Sequence, residues 1–383
     1  VVVLGIGGSA LGAICLDTAL RPLFSDRSGH GAGASWPRLT VLDNVDPALL
    51  VDFEANIDYR RTLFLVISKS GATPETVAQF LYFQKKVARR VPDWQKHFVF
   101  VTDPHIGWLR RLAGEISTEK SSLVTFDLPE GVGGRFSVLS AVGLLPAALV
   151  GISVDQLLRG ARVGRNRVFR GNPVAKNPAF ALAAAQYLLA RKGRSQQVFY
   201  VYSQKLRWLS DWYRQLLAES IGKELNRRGQ KVNAGLTPLG ALGVTDQHSQ
   251  NQLYLEGPDD KIYLLLDVAK PRRDLTIPYN GRWSGLEQPG QFDYLRGVTF
   301  GELFQAERRG TLEALVTRQR PVITMTMDRL DAATLGEMLV ILEASVSFLA
   351  ELFDLDAYDQ PGVELSKKLT RQILTSARCS KLI

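Results

Sequence analysis

Short apolar runs alternate with longer helical patterns along almost the whole chain, and this alternation limits the possible folds more than any other feature. In the first half, five runs predict strands, at 1–4, 39–42, 63–67, 97–102 and 123–126. Helical patterns lie between them at 10–20, 74–90 and 107–112, and an apolar helix is predicted at 136–150. Strands rich in Val, Ile and Leu that alternate with helices predict a parallel sheet covered on both faces.

The second half repeats this design. Helices are predicted at 179–191, 206–228, 300–318 and 332–353, and strands at 197–202, 261–268 and 322–327. A short helix follows near 363–373, and Gly, Pro and Asn predict a long loop at 271–289. At 383 residues the chain also exceeds one ordinary core. We therefore predict an α/β protein with parallel-sheet domains at 1–152 and 196–353, a helical connection at 153–195 and a C-terminal helix within 354–383.

Composition excludes several classes of protein. The net charge of +9 comes from scattered basic residues and not from an aromatic-interleaved basic stripe, so we expect no nucleic-acid partner. No apolar run approaches eighteen residues, so we expect no membrane span. Cys15 and Cys379 lack metal-ligand spacing, which favours a reducing compartment and no metal. The chain begins inside a strand without Met, so we expect a preceding segment in the full protein.

The chain opens with VVVLGIGGSALG, a strand that runs into a glycine turn. Gly5, Gly7 and Ala10 match the dinucleotide pattern G-x-G-x-x-G/A. Asp43 ends the next strand but stands later than the usual acidic partner of that pattern. A single match of this kind is weak, and a turn that holds another phosphate or a sugar is the alternative.

A second loop, SKSGATPET, follows the third predicted strand and precedes a helix. Ser68, Ser70 and Thr73 supply hydroxyls, Lys69 supplies a cation, and the helix N-terminus supplies free N–H groups. The alternative is that Thr73 simply caps the following helix and the loop binds nothing. Because capping does not call for so many hydroxyls, the loop favours a phosphate monoester.

Two charged residues stand in unusual surroundings. Arg135 follows Gly133 and Gly134 at a predicted helix start, where a cation is unfavourable unless an anion lies nearby. Glu219 is flanked by Leu216, Leu217, Ala218 and Ile221, a setting that suits a general base, although an exposed acid on an amphipathic helix is equally compatible.

Six segments resemble the glucose-6-phosphate isomerase family and occur in its order. They are GIGGSALG, SKSGATPET, EGVGGRFS, ESIGKE, TDQHSQNQ and YDQPGVELSKK, so the resemblance covers nearly the whole chain. It implies two sugar-isomerase domains and the interconversion of glucose 6-phosphate and fructose 6-phosphate through a cis-enediol. It also implies no cofactor, a cytoplasmic location and a homodimer whose active sites are shared between subunits.

The resemblance also implies roles for individual residues. Ser68, Ser70 and Thr73, with Lys69, would bind the phosphate. Glu219 would be the catalytic base, and Arg135 would stabilise the enediolate. His248 and Lys367 would open the sugar ring. The remaining substrate-site residues are Gly8, Ser9, Gly134, Gln360 and Glu75, of which Glu75 would orient the histidine.

Two departures from the family pattern are Pro361 after the DQ pair and Gly71 in the hydroxyl-rich loop, and neither removes a charge needed for catalysis. Two alternative functions remain at this point. One is an isomerase that also accepts mannose 6-phosphate, and the other is a sugar-phosphate-binding regulator without catalysis. Glu219, Arg135, His248 and Lys367 together favour catalysis.

Overall fold

The structure is a computed structural model that describes residues 1–24, 36–117, 123–171, 173, 176–279 and 291–379. A five-stranded parallel sheet occupies the first half, in the order β2-β1-β3-β4-β5. Its strands are β1 (Val2–Leu4), β2 (Thr40–Leu42), β3 (Phe64–Ser68), β4 (Phe98–Thr102) and β5 (Val124–Asp127). All five were predicted, because each is a short apolar run between helices.

Five helices accompany this sheet: α1 (Leu11–Leu20), α2 (Pro47–Ala55), α3 (Pro74–Ala88), α4 (Trp108–Ile116) and α5 (Ala141–Leu149). Helix α2 was not predicted. The helix predicted at 136–150 begins only at Ala141, where Ser140 caps it by accepting from the Val142 amide. The preceding residues Gly134–Phe136 form a separate 3-10 turn, which leaves Arg135 outside the long helix.

A second parallel sheet has the order β11-β10-β6-β9. Its strands are β6 (Gln196–Tyr202), β9 (Thr237–Leu242), β10 (Lys261–Val268) and β11 (Val322–Met327). Strand β9, sequence TPLGAL, was not predicted because Pro and Gly weaken the strand pattern; its edge position tolerates the proline. The order β9-β6-β10-β11 repeats β2-β1-β3-β4, so the two halves share one topology.

The helices of the second half are α6 (Val154–Phe169), α7 (Pro178–Arg191), α8 (Arg207–Ile221), α9 (Asn251–Glu256), α10 (Phe300–Thr317), α11 (Ala332–Leu352) and α12 (Glu364–Cys379). The helix predicted at 206–228 is wrong at its C-terminal end. The chain leaves α8 at Gly222 and forms an antiparallel hairpin of β7 (Lys223–Leu225) and β8 (Lys231–Ala234). The loop predicted at 271–289 lies outside the described residues from 280 onward.

One apolar cluster joins the two halves of the chain. Leu16 of α1, Val138 and Leu216 of α8 belong to it together with residues of the second sheet and of α11. Helix α1 therefore packs against α8, and this contact places the glycine turn before α1 beside the C-terminal half of α8. The predicted domain limits stay a prediction.

Helix α11 is apolar enough to resemble a membrane span by length and composition, with a mean hydropathy of 1.6. Glu337 and Glu343 interrupt it, so it is not an unbroken apolar run. Within the protein 56% of that window is buried, and α11 packs along α6 so closely that a Cβ on Gly160 would lie 1.7 Å from the Ala333 carbonyl oxygen. These are the features of a core helix.

Candidate active site

Two glycine turns from distant parts of the chain touch at one end of the first sheet. After β1, residues Gly7–Ser9 form a 3-10 turn, and Gly7 has a positive φ of 57°. A Cβ added to Gly8 would lie 2.3 Å from the carbonyl oxygen of Gly134. Because no side chain fits at that distance, the glycines of GIGGS serve close backbone contact with the turn that carries Arg135.

Arg135 is buried, and each of its five N–H groups has an acceptor. Nε donates to Ser220 Oγ at 2.9 Å, and Nη1 donates to Glu219 Oε2 at 3.2 Å and Gln360 Oε1 at 2.9 Å. Nη2 donates to the carbonyl oxygens of Ala357 and Asp359. Burial lowers the pKa of Arg135, and the Glu219 carboxylate opposes that shift, so the guanidinium is a cation fixed in place.

Glu219 lies in the last turn of α8, and 29% of its side chain is exposed. Its Oε2 accepts from Arg135, and its Oε1 accepts from Gln215 Nε2 at 3.0 Å. The neighbours Leu216, Leu217 and Ile221 are fully buried, but they point into the core. The expectation of an apolar setting for the carboxylate is therefore wrong: a cation and an amide surround it, and one side stays open to solvent.

The hydroxyl-rich loop follows β3, which is hydrogen-bonded to β1. The hydroxyls of Ser68 and Thr73 lie 2.8 Å apart, and Thr73 makes no side-chain cap of α3, which disfavours a pure capping role. Gly71 has a positive φ of 60° that bends the loop back. Ser68 is buried, Thr73 is half-buried, and Lys69 and Ser70 are exposed. The loop therefore presents the hydroxyls of Ser70 and Thr73, a cation and a helix N-terminus to solvent.

A C-terminal segment closes over Arg135, and the sequence did not predict what fixes it. Besides the acceptors from Ala357, Asp359 and Gln360, the buried Lys223 donates to both the carbonyl and the carboxylate of Asp359 at 2.6 Å. The ring of Tyr358 packs on that of Phe136 at 5.4 Å. The GK turn after α8 is the signal that could have indicated Lys223.

His248 and Lys367 do not contact the Arg135–Glu219 pair of the same chain. His248 is exposed after the 3-10 turn Thr245–Gln247, whose Asp246 accepts from the Leu242 amide at 2.8 Å and the Ser249 hydroxyl at 2.7 Å. Lys367 lies on exposed helix α12 and pairs with Glu364 at 2.8 Å. In the described parts of the chain, neither contacts Glu219 or Arg135 by a hydrogen bond or ion pair, and Glu75 has no such contact with His248.

The structure thus brings together Gly8, Gly134, Arg135, Glu219 and Gln360, with the Ser68–Thr73 loop and Ser9 at the ends of the adjoining strands β3 and β1. Within the described ranges, no group of three or more His, Cys, Asp or Glu side chains is arranged to hold a metal ion. A fixed cation beside an accessible carboxylate is suited to proton transfer with charge stabilisation.

Two matching parallel sheets, with a candidate site at the carboxyl ends of β1 and β3, are typical of α/β proteins that bind small molecules. A profile of the phosphoglucose isomerase family matches residues 1–262 and 302–383. The chain belongs to this family. It is 44% identical over 378 residues to the glucose-6-phosphate isomerase of Carboxydothermus hydrogenoformans, covering 97% of this chain and 78% of that relative.

Other comparisons agree. The glucose-6-phosphate isomerase of Rubrobacter xylanophilus is 41% identical, covering 96% of this chain and 80% of that one. Among solved structures, a hypothetical protein of Thermus thermophilus is 38% identical with a TM-score of 0.85, covering 97% of this chain and 83% of that chain. A glucose-6-phosphate isomerase of Chlamydia trachomatis, 22% identical with a TM-score of 0.81 over 98% of this chain and 70% of its own, shows the shared fold.

Proposed function

We propose that this protein interconverts glucose 6-phosphate and fructose 6-phosphate. The family supplies the reaction, and the observation that supports it in this chain is the contact between a buried, fully hydrogen-bonded Arg135 and a partly exposed Glu219. Glu219 takes the proton from C2 and returns it to C1 through a cis-enediol. One side of its carboxylate is accessible, as a base that must meet substrate requires.

Arg135 stabilises the enediolate by charge. All five of its N–H groups already have acceptors, so the guanidinium acts as a preorganised positive charge that needs no rearrangement during the reaction. Gln360 shares Nη1 with Glu219 and positions the substrate against this pair. Gly8, Ser9 and Gly134 line the sugar, since their turns touch beside Arg135.

Ser68, Ser70 and Thr73 hold the phosphate, with Lys69 adding charge at the helix N-terminus. The hydroxyls of Ser68 and Thr73 lie 2.8 Å apart, so one donates to the other and the pair keeps one O–H to donate to the phosphate. A phosphate there is bound away from the reacting carbons, which leaves C1 and C2 free to reach Glu219.

His248 and Lys367 open the ring, and Glu75 orients the histidine, in a cytoplasmic homodimer that shares its sites. His248 is exposed on a loop held by Asp246 and Gln247, so it is presented outward. Helix α12 also exposes apolar residues, namely Leu365, Leu369, Ile373 and Leu374. An exposed apolar helix that carries Lys367 supports a second subunit at this face.

A coupled assay with glucose 6-phosphate, fructose 6-phosphate and mannose 6-phosphate side by side tests the proposal. We expect Glu219→Gln to lower kcat by about two to four decades, the usual contribution of a positioned acid–base group, while sugar phosphate still binds. Glu224→Gln is the matched control, because Glu224 is an exposed carboxylate only five residues away. Near-wild-type turnover of Glu219→Gln would refute the assigned base, and binding without turnover in the wild type would favour a regulator.

A further inference from the structure

A large cavity of about 1500 Å³ lies at the carboxyl end of the second sheet and shares no lining residue with the candidate active site. It is lined by residues 202–205 from the last residue of β6 onward, 270–273 after β10 and 328–332 after β11. The end of α1 closes its other side. Three neighbouring parallel strands therefore end at one cavity, which is where ligands bind in open α/β sheets.

The cavity occupies the position in the second half that the candidate active site occupies in the first. Strand β6 corresponds to β1, and each is followed by a 3-10 turn and a helix: Gly7–Ser9 before α1, and Gln204–Leu206 before α8. Strand β10 corresponds to β3, so the segment after β10 takes the place of the hydroxyl-rich loop. The carboxyl ends of β6 and β10 in the second sheet are thus equivalent to those of β1 and β3 in the first.

The lining is strongly basic, with seven Lys and Arg against two Asp. Both acids have partners already, since Asp328 pairs with Lys270 at 2.7 Å and Asp331 pairs with Arg329 at 2.7 Å while capping α11. Of the other five cations, Arg21 pairs with Asp17 at 2.9 Å. The remaining four form no ion pair with any described residue; they are Arg38, Lys205, Arg272 and Arg273. Four cations around one cavity repel each other unless an anion is bound.

Lys205 is the least exposed of these four cations. Its Nζ donates to the carbonyl oxygen of Arg21 at 2.8 Å, which aligns the ammonium but leaves its charge uncompensated. Burial and the neighbouring Arg272 lower the pKa of Lys205. The preceding Ser203 and Gln204 add polar groups at the strand end, as the residues around Lys69 do in the first half.

Aromatic side chains line part of the cavity. Trp36 lies against the backbone of Gly151, where a Cβ would be 2.5 Å from the indole ring, and Phe304 also lines the cavity. An aromatic face beside cations fits a ligand that has C–H groups next to an anion. Inorganic phosphate alone would make no contact with these aromatic side chains.

We propose that this cavity is a second sugar-phosphate site, in which Lys205, Arg272 and Arg273 bind the phosphate and Trp36 contacts the sugar. The ligand class rests on the proposed function, because a sugar phosphate is inferred here from the sugar phosphate proposed for the equivalent strand ends of the first sheet. The charge and the cavity do not depend on that function.

Isothermal titration calorimetry with sorbitol 6-phosphate, which has no carbonyl group to isomerise, tests the site. We expect two equivalents per chain. Arg272→Gln/Arg273→Gln, which alters only exposed side chains, should weaken one equivalent at least about tenfold, as should Lys205→Gln. Lys85→Gln/Arg89→Gln removes the same charge from α3 and its C-terminal end and is the control.

The two proposals fail separately. If Arg272→Gln/Arg273→Gln and Lys205→Gln leave all binding unchanged, or if the control weakens it equally, the second site is overturned. If the heat that depends on Arg272 and Arg273 persists in Ser68→Ala/Ser70→Ala/Thr73→Ala while the wild type has no isomerase activity, the second site stands and the proposed function fails.

Discussion

Arg135 Nη1 lies 3.2 Å from Glu219 Oε2, but the two side chains differ in their exposure to solvent. Of the arginine side chain 2% is accessible, and of the glutamate side chain 29% is accessible. The cation is therefore held by the protein, while the carboxylate faces solvent on one side. This asymmetry separates a fixed electrostatic group from a group that can exchange protons with a bound molecule.

Arg135→Lys should lower kcat by about two to three decades, although the charge is kept. A lysine has three donors on one nitrogen and cannot reach the five acceptors that the guanidinium holds. Steady-state kinetics on variant protein with an unchanged circular dichroism spectrum gives the measurement. Arg227→Lys is the control, since Arg227 pairs with Glu351 on the surface. A loss below tenfold would mean that charge alone suffices.

Ser68→Ala/Ser70→Ala/Thr73→Ala should raise KM for 6-phosphorylated sugars at least about tenfold and weaken the binding of inorganic phosphate, because each lost donor faces a charged ligand. Thr62→Ala is the control near the other end of β3, where the hydroxyl donates to the Asp58 carbonyl oxygen. If fructose 6-phosphate bound unchanged while NADH bound the wild type tightly, the dinucleotide interpretation of GIGGSA would return.

His248→Ala and Glu219→Gln, each inactive alone, should restore activity when unfolded together and refolded. If His248 acts in the partner's site, a heterodimer has one site with both native residues. Random pairing then recovers about a quarter of all sites by two-fold symmetry. The assay compares the mixture with each variant refolded alone. Verified heterodimers without added activity would place the action of His248 within its own chain.

Glu343 should make stability fall as pH rises. Burial raises its pKa to about 8 from 4.5, and its Oε1 has no hydrogen-bond partner among the described residues. Between these values the folded state keeps a proton that the unfolded state has lost, so the free energy of unfolding decreases with pH and levels off above pH 8. Glu343→Gln should be more stable than wild type at pH 9 by on the order of 2–4 kcal/mol, and nearly equal at pH 4.5.

Urea unfolding at both pH values measures this difference. Glu313→Gln, at an exposed position of α10, should leave the pH dependence of stability unchanged. An identical pH slope for wild type and Glu343→Gln would show that Glu343 ionises normally in the folded protein.

The sequence predicted the sheets because buried parallel strands are short apolar runs between helices. It did not predict β9, whose Pro238 and Gly240 weaken the strand pattern, or the end of α8, where one glycine turns the chain into a polar hairpin. It identified Arg135 and Glu219 from local context. Lys223 and Asp359 escaped because they stand 136 residues apart and only the fold joins them. The roles of all the candidate site residues, Arg135 and Glu219 included, stay predictions.

The acceptors of Arg135 lie 84 to 225 residues further along the chain. During synthesis the first sheet is complete long before residues 357–360 leave the ribosome. Until then the guanidinium lacks three of its acceptors and remains hydrated. A nascent chain can therefore form both sheets while the candidate site is still incomplete, because translation supplies residues 357–360 only after the last strand, β11.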